Sequence, residues 1–322
     1  MNNILFPLIL FSLLMLLFYG MGFRTTTADV MQIGIIYVSI WIGHEHKLTP
    51  NTIIGLIFLY GIMSIYLGYL SVTTYLTTFS MDENMYMIDA KNQIGAIIAL
   101  AAFYTIYIAQ ISLRKKVYIV AYAIFAILLI LMIYIRCRTA LLALLITSFL
   151  LIYKRNSSIK LTIYAMFGLL IAAVFADQII DILQNAFLGD RSTANLDELS
   201  SNRLERNDQA IMYIGEHILI GEMKYHSGIE IIHNYILNRI VRYGIWALPL
   251  IFIYFIIGFR CFKQVMTYRH FTISDIGYFA MLIPFLCSLL EPDAPFGPGT
   301  VYSFTFIMFG YSLKNSLNKD SQ

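Results

Sequence analysis

The sequence predicts an all-α integral membrane protein of about ten transmembrane helices, and three observations carry that prediction. Of 322 residues, 59% are hydrophobic and 13% charged, with a mean hydropathy of +0.72. Soluble domains run near 25% charged, so this chain has about half the charge that a water-facing surface needs. Several apolar runs approach or exceed the ~20 residues that cross a bilayer as a helix. Those runs are long and uniformly apolar, which excludes the alternating ~10-residue strands of a membrane barrel. A net charge of +3 is too small to imply a nucleic-acid partner. Cys137, Cys261 and Cys287 lack the spacing of a disulfide framework or a zinc site.

In chain order the apolar runs fall at about 4–22, 30–43, 52–72, 93–112, 117–135, 138–153, 160–183, 235–259, 273–290 and 299–313. The first has no Lys or Arg before it and no small-residue cleavage pattern after it, so it reads as a retained helix. The second, sixth and tenth runs are short for a span, and nine or eleven helices also fit. Arg114-Lys115-Lys116, Lys154-Arg155 with Lys160, Arg260-Lys263-Arg269 and Lys314 with Lys319 follow the fourth, sixth, eighth and tenth runs. Lys47 follows the second. With ten helices these connections share one side, and the positive-inside rule makes it the cytoplasm, with both termini cytoplasmic. On that layout Glu45, Asp275 and Asp320 are the only cytoplasmic acids of nineteen, a partition that a wrong helix count would scramble. The hydrophilic stretch 184–232 is then one large extracytoplasmic loop between the seventh and eighth helices of a single 1–322 membrane domain. Its apolar patches, such as Ala210–Tyr213 and Ile218–Ile220, predict short helices folded against the membrane.

Charges that break this topology are the candidates for chemistry. Arg136 and Arg138 occupy a minimal outer turn, where cations oppose the orientation preference. A guanidinium at that depth needs a partner, and its planar fork suits a lipid-linked pyrophosphate. Snorkelling to headgroups or pairing with an acid is the alternative. Lys91 opens the fourth helix on the same side, as an anion site at a helix N-terminus or as a headgroup anchor. His217, His226 and His233 stand nine and seven residues apart, which matches no local zinc motif, so no metal and no cofactor is expected.

His233 sits where the loop meets the eighth helix, and a neutral imidazole there suits a general base. Asn234, Asn238 and Arg242 recur every four residues on one helical face, flanked by Tyr235 and Arg239. This stripe reads equally as a substrate surface or as an interfacial belt. Arg203 and Arg206 are further loop cations. Glu291, followed by Pro292 and Asp293, reads as a helix stop more readily than as a site carboxylate.

Four segments, in order, resemble the O-antigen polymerase and ligase superfamily. Lys-Asn-Gln-Ile-Gly-Ala at 91–96 is similar to the family's Lys/His-Asn-x-x-Gly helix start, and Arg-Thr-Ala-Leu-Leu-Ala-Leu-Leu at 138–145 to its Arg followed by small residues and leucines. Asn-Arg-Leu-Glu-Arg-Asn-Asp-Gln-Ala-Ile at 202–211, leading to Ile-Leu-Ile-Gly-Glu, is similar to its loop Arg and Gly-containing turn. His-Asn-Tyr-Ile-Leu, then Tyr-Gly-Ile, at 233–245 is similar to its His-Asn-x-x-Leu segment. Arg203 fits the family's loop arginine best and Arg206 is the second choice.

The loop lacks the family's frequent Trp, and Gly-Glu replaces Gly-x-Gly. The resemblance spans residues 90 to 260. It implies a GT-C-like architecture and a polymerase of undecaprenyl-pyrophosphate-linked oligosaccharides, acting at the periplasmic face of the bacterial inner membrane. Arg138 and Arg203 would stabilise the leaving pyrophosphate and His233 would act on the acceptor hydroxyl, with Arg136, Lys91, Arg206, Asn234, Arg239 and Arg242 binding substrate. Besides membrane lipids, the implied partners are a flippase and a chain-length regulator of the same pathway. A ligase of the same superfamily and a lipid-linked-sugar flippase or other transporter are the rival readings. Against transport, the mid-helix positions carry almost no charge.

Overall fold

The computed structural model describes residues 2–24, 27–78, 91–135, 137–155, 203–229, 232–267, 271–297 and 299–320. Every regular element among them is helical. The helices are α1 (Asn2–Gly20), α2 (Thr27–Glu45), α3 (Pro50–Thr78), α4 (Lys91–Ile111), α5 (Lys115–Ile135), α6 (Arg138–Arg155), α7 (Arg203–His217), α8 (Tyr235–Tyr243), α9 (Leu248–Thr267), α10 (Ile276–Cys287) and α11 (Gly299–Asp320). Single 3₁₀ turns lie at Gly221–Met223, Gly244–Ala247 and Ile273–Asp275. The expected run at 160–183, Arg136, Lys160 and loop residues 184–202, 230 and 231 lie outside the described residues.

Four described segments are long and apolar enough to cross a membrane: Pro50–Thr73, Asn92–Ile111, Lys115–Ile135 and Tyr235–Thr267. The regular elements of the described residues are thus all helical, with helices suited to span a membrane. The run read from sequence as one helix from 235 to 259 is broken in the structure. Gly244 adopts φ +59°, α8 ends there, and a 3₁₀ turn leads into α9. The reason is steric. A Cβ on Gly244 would collide with the backbone of Ile218, Leu219 and Ile220, and one on Gly221 with that of Val241, Arg242 and Gly244. Glycine alone permits both the positive φ and this approach.

The chain divides into two compact units. One comprises residues 47–191 and 267–283 and is organised around α4, which packs on α3, α5 and α6. About 78% of α4 is buried, against 28% for α3 and α5, so α4 is the central helix of its unit. Its small residues, among them Gly95, Ala99 and Ala102, allow that crowding. Gly68 of α3 similarly admits Ile98 and Leu131. Thr49 caps α3 by accepting the Thr52 N–H at 3.2 Å, ahead of Pro50 at the first helical position.

The other unit comprises residues 1–46, 192–266 and 284–322. Its closest helix pair is α2 with α11, which cross at Gly43 and Gly310. Each glycine lies against the other helix's backbone, Gly43 on Ile307 and Gly310 on Ile40. Lys314 Nζ donates to the Glu45 carbonyl at 3.1 Å, so the two helices end on the same side.

Candidate functional site

Two groups of candidate residues emerge, one in each unit. In the unit containing α7 and α8, Arg203 is the first residue of α7 and Arg206 follows one turn later. His233 lies in the irregular stretch before α8. Asn234 starts that helix, its side-chain oxygen accepting the Leu237 N–H at 3.1 Å. Burial first, then the charges of Arg203 and Arg206, push the His233 imidazole down from its ordinary 6.5 to about 4. His233 is therefore neutral at pH 7, and its buried Nδ1 meets no hydrogen-bond partner among the described residues.

The segment 288–297 of the same unit also reaches this cluster. Arg203 Nη1 donates to the Leu290 carbonyl at 2.7 Å, and Nη2 lies 3.6 Å from Glu291 Oε1, whose side chain is 12% exposed. The same segment is held by α8. The Tyr235 N–H donates to the Ser288 carbonyl at 3.0 Å, and Asn238 Nδ2 to the Pro292 carbonyl at 3.1 Å. Arg239 Nη2 pairs with Asp293 at 3.0 Å. The Arg239 side chain is only 5% exposed, with its guanidinium over the Tyr235 ring at 5.1 Å. Beside it, Gln32, Tyr235, Tyr243 and Phe296 help line a cavity with about 10 Å³ of water-sized space, roughly one water molecule.

These contacts divide the predicted stripe by task. Arg239, Asn238 and the Tyr235 backbone fasten the 288–297 segment, and Asn234 caps α8. Arg242 lies over the Tyr243 ring at 5.5 Å. Arg203, Arg206 and His233 come together, and Glu291 joins them through Arg203. Sequence reasoning set Glu291 aside as a helix stop. The usable signal was its place in Glu-Pro-Asp-Ala-Pro, where two acids follow an apolar run that ends beyond Cys287.

In the other unit, Lys91 and Arg138 are the first residues of α4 and α6. The two helix starts pack closely. A Cβ at Gly95 would collide with Cys137, whose Sγ lies 3.8 Å from Asn92 Oδ1. Arg138 is half-buried. The N-terminus of α6, which opens on Arg138, lies against that of α4. Among the described residues no cluster of three His, Cys, Asp or Glu side chains has the arrangement to hold a metal ion.

Fold and site thus define a helical protein with membrane-spanning helices and, outside those spans, a neutral histidine under the charges of two arginines. No protein-family model matches the chain, and no curated protein matches it.

Proposed function

We propose that the protein is a surface-polysaccharide polymerase. It would join oligosaccharide repeat units carried on undecaprenyl pyrophosphate at the periplasmic face of a bacterial inner membrane. The observation that carries this reading is the neutral His233 beside Arg203 and Arg206. The reaction forms a bond between an acceptor hydroxyl oxygen and an anomeric carbon, and breaks the bond from that carbon to pyrophosphate. The hydroxyl proton goes to His233, and the pyrophosphate leaves with the bonding electrons towards the guanidiniums. A pKa of about 4 makes His233 on its own a weak base. Pyrophosphate would offset the guanidinium charge and raise that pKa, so the base strengthens when the donor is bound. The Arg203–Glu291 contact gives the site an internal anion to exchange for the substrate's.

The test is deletion of the gene in its host and complementation with wild type, His233→Ala, Arg203→Ala or Arg138→Ala, each checked for membrane abundance. A core bearing a single repeat unit in the deletion, reproduced by all three variants, supports polymerisation. Full-length polymer left on undecaprenyl pyrophosphate makes the protein a ligase. Unchanged surface polymer removes the proposal and brings transport forward.

A further inference from the structure

We infer that the Ile218-Leu219 turn and the C-terminal half of α7 form a membrane-docking wedge, whose partner is the lipid surface itself. α9 carries Arg260 and Lys263 towards its C-terminal end, and the uncharged stretch before them begins after Arg242; Tyr243–Phe259 is about 17 residues, the short end of what crosses a bilayer. The 3₁₀ turn Gly244–Ala247 therefore lies at the membrane boundary. Trp246 in that turn is a residue type that favours such boundaries.

The 218–221 turn is bonded to this point. The Ile245 N–H donates to the Ile218 carbonyl at 2.7 Å, and Gly221 and Gly244 remove the side chains that would hold the two backbones apart. Ile218 and Leu219 are thus fixed beside the boundary, yet both are exposed, Leu219 at 67%. Along α7 the exposed face continues through Gly215, Ile211 and the 65%-exposed Met212. It is bordered by Asp208 one turn earlier and by Glu216, whose side chain is 78% exposed, so α7 lies shallow with both acids at headgroup level. On the side of α7 facing the protein, Ala210, Tyr213 and Ile214 pack with Ile232, Leu237 and Val241. The exposed strip is continuous with exposed Ile245, Leu248 and Phe252 at the start of the spanning helix. A contiguous apolar patch that adjoins a spanning helix meets acyl chains.

Full-length protein in lipid nanodiscs, spin-labelled at single introduced cysteines, tests this; the three native cysteines are buried. Leu219→Cys and Met212→Cys labels should relax with oxygen several-fold more than with a water-soluble nickel chelate, as a Phe252→Cys label does. A Gln209→Cys label should show the reverse. Nickel access at Leu219 overturns the proposal. So does exclusion of both reagents, which would place a second copy or another protein on the strip. Quenching of Trp246 by brominated lipids, in a Trp41→Phe chain with the wedge otherwise native, is the second measurement. Absence of quenching would remove the boundary on which the argument stands.

Discussion

The α2–α11 crossing and the segment 288–297 belong to one unit but are held by opposite means. At the crossing there are no side chains at the closest points, only Gly43 and Gly310 against carbonyls. At the segment 288–297 the ties are polar: the Ser288, Leu290 and Pro292 carbonyls and the Asp293 carboxylate accept from Tyr235, Arg203, Asn238 and Arg239. Glycine at both closest points lets the two backbones meet directly, so close backbone contact does the work there. A segment without regular structure has carbonyls to satisfy and recruits donors instead. The first arrangement tolerates no added atom, whereas the second loses its ties one at a time.

The largest expected effect follows from the crossing. In Gly43→Ala the new methyl meets Ile307 backbone, which cannot rotate away. The expected loss is at least the ~3 kcal/mol at the upper end for overpacking. It should appear as aggregation, or a large drop in thermal midpoint, by size-exclusion chromatography after heating in detergent. A midpoint within a degree of wild type would mean that the helices cross elsewhere. Gly95→Ala should cost less, because its neighbour is the Cys137 side chain and not backbone. Cys137→Gly in the same chain should restore part of the loss.

Next comes the Arg239–Asp293 pair. Asp293→Ala takes the carboxylate from a guanidinium that is 5% exposed, and about 2 kcal/mol is the expected cost for a charged hydrogen bond. Asp293 itself is 48% exposed, which keeps the figure well below that of a fully buried pair. A double-mutant cycle with Arg239→Met measures the coupling, expected near 1–2 kcal/mol. Additive effects would remove Arg239 as a fastener and return it to the pool of substrate-binding cations.

These contacts show what was legible in the sequence. Hydrophobic run length marked α1 to α6, α9, α10 and α11 as helices, and four of the described segments have the length and apolarity of a span, because both properties are set locally. The break at Gly244 was not legible, since the cause lies 25 residues upstream in the 218–221 turn. The approach of Arg203, Arg206 and His233 was suggested only by resemblance, as loop residues 30 apart carry no shared periodicity. Glu291 was discounted for the same reason: Glu-Pro looks like a helix stop until its neighbour Arg203 is placed beside it. Arg239 was noticed as a flanking cation, but its partner Asp293 is 54 residues away.

A third prediction concerns pH. His233 titrates near 4 when folded and near 6.5 when unfolded. Between those values the unfolded chain binds the extra proton, so stability rises with pH across this window and His233 adds no slope outside it. The stability difference between wild type and His233→Gln should therefore change between pH 6.5 and 4 and be flat above and below. Solvent screening makes the change smaller than that of a fully buried histidine. Inorganic pyrophosphate, by offsetting Arg203 and Arg206, should move the lower edge of the window upward. An edge that does not move would mean that the two arginines do not hold the anion.

The smallest effect separates two roles of a single residue. Asn234 caps α8 through its side-chain oxygen, and Asn234→Ala should cost about 1 kcal/mol, read as a modest drop in thermal midpoint. Serine also caps well, so Asn234→Ser should recover most of that stability. If the asparagine serves only the helix, Asn234→Ser should also restore surface polymer in the complementation assay. If its amide touches the glycan, Asn234→Ser should be stable and still fail to polymerise, because the hydroxyl is shorter and lacks the second donor. Recovery of both stability and polymer would place Asn234 with Asn238 and Arg239 among the residues that hold the segment 288–297, and would take it out of the proposed substrate surface.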